Sequence, residues 1–374
     1  MKIKIIGSGI IAITTAIRAA ELGHDSFLHF TAMNTGTPRK QLIYHAKSNS
    51  TSAAAAAFWM PLTVGKYERR WAIDTLHRYL SIVPTPNDKD NGVMVGSITL
   101  LFESAEAAKY AFENSIWWTR LPATHFSSQG IVVSKLQQPR KVGNQLFTHQ
   151  AIAKIPVIDM QLHLEYLVDL AIRSGVNLMP HSRFFDKSSC LAATGMDAIC
   201  VCCGGWTPGM LDMQDHDLRG LAGQLCLATS NKKPISRGKV HLAKTSDGSR
   251  PVYSVSVSDE EIWLGGTAFP AEFTSPDQNI PFFSNESQRM QFECREMLGG
   301  VDLQLSNNSL NKRKGIRPLR KKVRVEMLKP NDRVPICVNY GHGGSGVTLA
   351  WGCASDAVAL LEDATGNASV AQSA

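Results

Sequence analysis

Apolar positions recur along this chain with two periods, one near 3.6 residues and one of 2. Lys2–Ile6 is a short β-branched run, Gly7-Ser8-Gly9 breaks it, and Ile10–Leu22 carries apolar and small residues at helical spacing up to Gly23. Ser26–Phe30 is a second strand-like run, so the N-terminus reads as strand, glycine turn, helix, strand. The same periods predict helices over Arg69–Ile82, Ala105–Asn114 and Met160–Arg173, the last closed by Gly175. Strands are predicted at Ser97–Phe102 and over 197–203, and alternation at Gln224–Ala228, Val252–Val257 and Ile262–Leu264 predicts an antiparallel sheet. Ser48–Ser52 precede five alanines, which predicts a helix whose polar entry suits an anion. Near the C-terminus a strand over 334–339, a turn at Gly341–Gly346 and a helix over Val347–Leu361 repeat the opening pattern, and a small polar tail, expected to be flexible, follows Glu362.

Composition narrows the function classes. With 374 residues and 44% hydrophobic content, the chain has material for a large core or two domains, which excludes wholesale disorder. No run of about 18 uncharged apolar residues appears, so no membrane span is expected. Lys2 and Lys4 precede no cleavage-type segment, and a cytoplasmic location is expected. Of eight cysteines, Cys200, Cys202 and Cys203 sit in an apolar strand without zinc-type spacing; free buried thiols, and no metal, are expected. The net charge of +7 raises nucleic-acid binding, but the basic run 311–324 has no interleaved aromatic platform and reads as a solvated face apart from Arg317.

Three segments carry chemistry. In Gly7-Ser8-Gly9-Ile10-Ile11-Ala12 a strand feeds a helix through glycines, which lets backbone N–H groups and the helix dipole meet a diphosphate. The acidic residue that usually closes the second strand and holds the ribose is missing: the segment is Leu28-His29-Phe30-Thr31. Gly341–Gly346 is a second glycine turn feeding a helix. Two anion-seeking helix starts exceed what one diphosphate needs. A flavin uses both, since its N1–C2=O edge is negative when reduced, whereas nicotinamide has no such edge. FAD is therefore the cofactor expected. In Gly315-Ile316-Arg317-Pro318 the guanidinium direction is set between a strand and a proline, which fits either a carboxylate clamp or a surface arginine.

Together these segments resemble the D-amino-acid oxidase family. The match is carried by Gly7–Ala12, Ala55-Ala-Ala-Phe-Trp-Met-Pro61, Asp197–Trp206, Leu221-Ala-Gly-Gln224, Leu264-Gly-Gly266, Gly315-Ile-Arg-Pro-Leu-Arg320 and Asn339-Tyr-Gly-His-Gly-Gly-Ser-Gly-Val-Thr348, the last being the most specific; residues 62–150 match poorly. The resemblance implies an α/β fold: a Rossmann-like FAD-binding domain from separated segments (1–61, 150–215 and 312–362) and an antiparallel-sheet, α+β substrate domain (62–149 and 216–311). It implies oxidative deamination of an amine or D-amino acid, with O2 reoxidising the flavin to give H2O2. It places Arg317 on the substrate carboxylate, assisted by Tyr253, and the carbonyl of Gly344 on the amine. It places Gly7, Gly9, Ile10, Ile11, Ser50, Thr51 and Ser52 around the diphosphate. Ala57 and Phe58 would face the ring, Gly343, Ser345, Gly346, Val347 and Thr348 would line its edge, and Arg183, Gly204, Gly205 and Trp206 would complete the cofactor site. A homodimer is left open, with neither nucleic acid nor membrane as partner.

Departures bear on the substrate. Thr31-Ala32 stands where the family has Asp-Arg, a second tyrosine shortly before Tyr253 is replaced by Gly248, Ser249 and Arg250, and Ser345 stands where an aromatic is common. The lost aromatics make room for a bulkier substrate, so a tailoring oxidase forming an imine in a larger intermediate is the alternative. Phe58, Met60 and Leu62 suggest an apolar wall, while Arg250 fits either an acidic side chain or an exposed loop. His342 fits either a base or a packing residue, and hydride transfer from a neutral amine needs no base. A nucleic-acid-binding module and an NAD-linked dehydrogenase are the weaker alternatives.

Overall fold

In the computed structural model, residues 1–31, 36–61, 64–85, 88–121, 131–182, 186–192, 194–230, 235–243, 250–273, 280–306, 312–328 and 334–366 are described. Arg183, Leu62, Gly248, Ser249 and residues 367–374 lie outside them. Five strands run parallel in the order Ile336–His342, Ala198–Val201, Lys2–Ile6, Asp25–Thr31, Asn177–His181. The inner strands are nearly continuous buried runs, as a parallel sheet covered on both faces requires. Helices Ile10–Glu21 and Gly346–Thr365 pack together on one face, where the Thr14 hydroxyl donates to Ala350 O at 3.2 Å. Gly343–Thr365 is long and apolar enough to cross a bilayer, yet most of it is buried among its neighbours here.

A second group of strands runs Gln145–Ile158, Val93–Phe102, Lys239–Ala243, Val252–Ser256, Glu261–Gly265, Arg219–Ser230. Their pairings are antiparallel except for the parallel contact of Val93–Phe102 with Lys239–Ala243. Helix Ser284–Met297 covers one face through Met290, Cys294 and Met297. The long strand Lys312–Met327 joins the two groups. It pairs with Arg219–Ser230 from Lys312 to Leu319 and with Ile336–His342 at Leu319 and from Arg324 to Met327.

Several expectations change. The serine–alanine segment is not a helix. Helix Pro38–Asn49 precedes it, capped by Thr37 with Pro38 in the first turn, and Ser50 is already extended at φ −92° and ψ 144°. Ser50 to Ala54 form a turn and Ala57–Phe58 a short strand, because the Ser50 hydroxyl and the neighbouring strands take the backbone partners a helix would use. The last helix runs to Thr365 and stops at Gly366, φ 72°, so residues 363–365 are helical rather than tail; Glu362 Oε1, 2.8 Å from His24 Nε2, ties that end to the core. A boundary at 150 falls inside Gln145–Ile158, which pairs with Val93–Phe102 along its length. The run 311–324 is less solvated than expected: Arg320 and Arg324 both turn to the buried carboxylate of Asp215.

Candidate active site

A cavity of about 1000 Å³ opens where the parallel sheet, the serine–alanine loop and the second sheet meet. One end lies over the first glycine turn. Gly7 has φ 141°, and a Cβ there would fall 2.6 Å from Cys202 O and 2.9 Å from Ala12 Cβ, so only glycine lets this turn cross the neighbouring strand. Ser52 closes over Gly9: its hydroxyl accepts from Ile10 N at 3.1 Å, and a Cβ on Gly9 would stand 3.3 Å from it. Ser50 donates to Ala46 O and Thr51 to Ile316 O at 3.0 Å. Thr31, at the end of the second strand, lines the cavity, as do Asp186 and Lys187, and no acid ends that strand.

The other end lies over the second glycine turn. The buried strand Ile336–His342 runs through Gly341, two residues into the turn predicted there, and Gly343 and the start of Gly346–Thr365 follow it, with Gly343 at φ 56° against the Leu319 side chain. Neither Ile10–Glu21 nor Gly346–Thr365 has a cap from its own N-cap side chain or an acidic residue in its first turn, and Ser52 takes one amide of the first, Ile10 N. Two glycine-fed helix starts that line one cavity and carry no acidic residue in the first turn fit a ligand with anionic groups, as a dinucleotide carrying a flavin has. Gly343, Gly344, Ser345, Gly346, Val347 and Thr348 all line it, although the Thr348 hydroxyl accepts from Met60 N at 3.3 Å and Val347 O accepts from Tyr79 Oη. Gly204, Gly205 and Trp206 line the middle, and Phe273 lies across Gly205 and meets Trp206 edge-on at 5.4 Å. Ala57 and Phe58 form the adjoining wall, and Phe58 meets Tyr253 edge-on at 6.2 Å.

Arg317 stands against Gly344, whose built Cβ would lie 3.8 Å from Arg317 Cδ. Its Nη1 donates to Thr267 O at 3.0 Å, and no carboxylate pairs with it among the described residues. Gly223 on the paired strand makes the space, since a Cβ there would fall 2.4 Å from Nη1. Gly265 does the same for the Tyr253 ring. Arg250 lines the cavity but pairs with Glu286 at 3.6 Å and stacks on Phe269 at 4.4 Å. Burial pushes His342 down to about 3, so the ring is neutral at pH 7 and is a weak base. Thr267 and Phe273 carried no signal in the sequence, while Gly223 and Gly265 stood in the motifs Leu221–Gln224 and Leu264–Gly266 without a role of their own. Gly223 and Gly265 each adjoin an alternating run, where an isolated glycine signals a close approach.

A model of the family of FAD-dependent oxidoreductases matches residues 2–360. The chain belongs to that family. It is 27% identical to a D-amino-acid oxidase of Rubrobacter xylanophilus over 317 residues, 83% of this chain and 84% of that one. It is 25% identical to a D-amino-acid oxidase of Streptomyces coelicolor over 367 residues, 96% of each. The fold is that of glycine oxidase from Bacillus cereus (TM-score 0.68, 13% identity, 99% of this chain and 98% of that one). It also resembles L-α-glycerophosphate oxidase from Mycoplasma pneumoniae with FAD bound (TM-score 0.67, 14% identity, 96% and 94%). This FAD-dependent oxidoreductase thus has the cofactor its two helix starts fit. Gly223→Ala is expected to push the Arg317 guanidinium aside, lowering kcat/KM by about 10- to 100-fold while FAD content is unchanged, as steady-state kinetics and flavin absorbance would report.

Proposed function

We propose that the protein oxidises the Cα–N bond of an amine bearing a carboxylate, a D-amino acid being the substrate class favoured by its relatives. The observation that carries this reading is Arg317, a guanidinium held by one backbone carbonyl, without a carboxylate partner among the described residues, and open to the cavity beside Gly344. Its fork accepts a carboxylate in two parallel hydrogen bonds, which fixes the attached Cα in one place. Tyr253, over Gly265, closes the same side, and the exposed backbone of Gly344 lies where an amine would donate. Phe58, Met60, Leu225 and Leu242 line the space beyond and keep water from it. FAD, when bound, supplies the hydride acceptor and passes the electron pair to O2, giving H2O2. The amine leaves as an imine, and water converts it to a keto acid and ammonia. Because the amine reacts in its neutral form, positioning does the work that a general base would otherwise do.

The test is the absorbance of the flavin-loaded protein during anaerobic addition of single D-amino acids, followed by peroxide release in air. Bleaching and peroxide with at least one of them supports the reading. A loaded protein that binds benzoate yet reacts with none points to a carboxylate-bearing amine within a larger intermediate, and one that binds no carboxylate overturns it.

A further inference from the structure

The strand that carries Arg317 has two edges, and they are held differently. From Lys312 to Leu319 one edge pairs with Arg219–Ser230. The opposite edge gains the strand Ile336–His342 only from Leu319 onward. Before that point the serine–alanine loop lies along it. The Thr51 hydroxyl donates to Ile316 O at 3.0 Å, one residue from Arg317. Arg313 Nη1 donates to Ala55 O at 3.4 Å, with its guanidinium stacked on Trp263 at 4.1 Å. Gly315 allows the approach, since a Cβ there would stand 3.2 Å from Ala54 Cβ and 3.5 Å from Thr51 Cγ2. Ser52, the next residue, closes over the helix start at Ile10.

We propose that Thr51 is a positioning residue for the carboxylate clamp rather than a diphosphate ligand. Its hydroxyl donates a hydrogen bond to Ile316 O on the strand that bears Arg317, in place of a strand partner on that edge, and so sets the guanidinium relative to the loop proposed to meet the cofactor. The loop itself is held without it, by the Ser50 hydroxyl on Ala46 O and Ala53 N and by Ser52 on Ile10 N. Cutting the Thr51 bond therefore leaves the cofactor end in place and lets the clamp drift. The inference rests on the reading of Arg317 as the carboxylate site.

The experiment compares Thr51→Val, Thr51→Ser and Arg317→Leu with the unaltered protein. FAD affinity is measured on apoprotein by flavin fluorescence, and benzoate affinity on the FAD-loaded protein by the shift in flavin absorbance. In Thr51→Val the benzoate Kd is expected to rise about fivefold to tenfold while the FAD Kd stays within about threefold, the size of effect one lost hydrogen bond produces. Thr51→Ser, which keeps the donor, is expected to restore both. Every other pattern overturns the proposal: a larger loss for FAD than for benzoate identifies a diphosphate ligand, while equal loss of both, no loss, or failure of serine to rescue identifies a structural residue. Arg317→Leu separates the two levels. If it leaves benzoate affinity intact, the clamp reading itself fails; if it weakens benzoate and Thr51→Val does not, only the Thr51 assignment fails.

Discussion

Arg317→Leu is expected to give a yellow, folded protein whose kcat/KM for carboxylate-bearing amines falls by about 10²- to 10⁴-fold. The guanidinium is only partly buried, and among the described residues it is held by one hydrogen bond, to Thr267 O, so leucine in its place removes little from the fold. The loss falls on the complex. A substrate carboxylate brought into the cavity without its partner is an uncompensated charge, which costs roughly 3–5 kcal/mol, and the direction of Cα toward the ring is lost with it. Flavin content should be unaltered, because Arg317 stands beside Gly344 at the second glycine turn and not at the first, Gly7–Gly9. Near-normal kinetics in the leucine variant would remove Arg317 from the site. An amine lacking a carboxylate provides the internal control: its turnover should change much less.

The second large effect belongs to Gly7→Ala, which is expected to purify with little or no flavin and to bind added FAD about 10- to 100-fold more weakly. At φ 141° an alanine is strained by about 1–3 kcal/mol before any contact is counted. Its Cβ would also meet Cys202 O at 2.6 Å, and that oxygen is backbone at the end of the buried strand Ala198–Val201. Gly7 N donates to His29 O at 3.0 Å, so the turn cannot move without disturbing the second strand as well. Relief comes from displacing the start of Ile10–Glu21, the helix end proposed to meet the diphosphate. Titration of the apoprotein by flavin fluorescence measures it, and a variant with unchanged FAD affinity would show that the turn does not hold the cofactor.

Much of the scaffold was legible because it is encoded locally. Lys2–Ile6, Gly7–Gly9 and Ile10–Glu21 follow one another with no insertion, and β-branched runs, glycine at positive φ and helical spacing are properties of a few adjacent residues. Met160–Arg173 has its boundaries written in Asp159, whose side chain accepts from Gln161 N and Leu162 N, and in Gly175. The alanine run misled for the opposite reason: helix propensity is a weak prior, and Ser50 and Thr51 spent their hydroxyls on Ala46 and on a strand 265 residues away. Helix Pro38–Asn49 was announced by Thr37-Pro38, a start signal that went unused. The roles of Gly223 and Gly265 were illegible, since a glycine in a strand marks a close approach without saying what approaches.

The two glycine-fed helix starts, and with them the fit to an anionic ligand, follow from the order of residues alone, because a helix dipole and a first turn without acidic residues are local facts. The arginine was ambiguous at that level, clamp or surface. What distinguishes the two is whether a strand edge, a loop and a glycine from distant parts of the chain leave its guanidinium facing a cavity, and that depends on pairings between residues far apart in the chain, such as Arg317 with Leu221 and Thr51 with Ile316. Folding supplies those contacts, so the carboxylate site exists only in the assembled sheet.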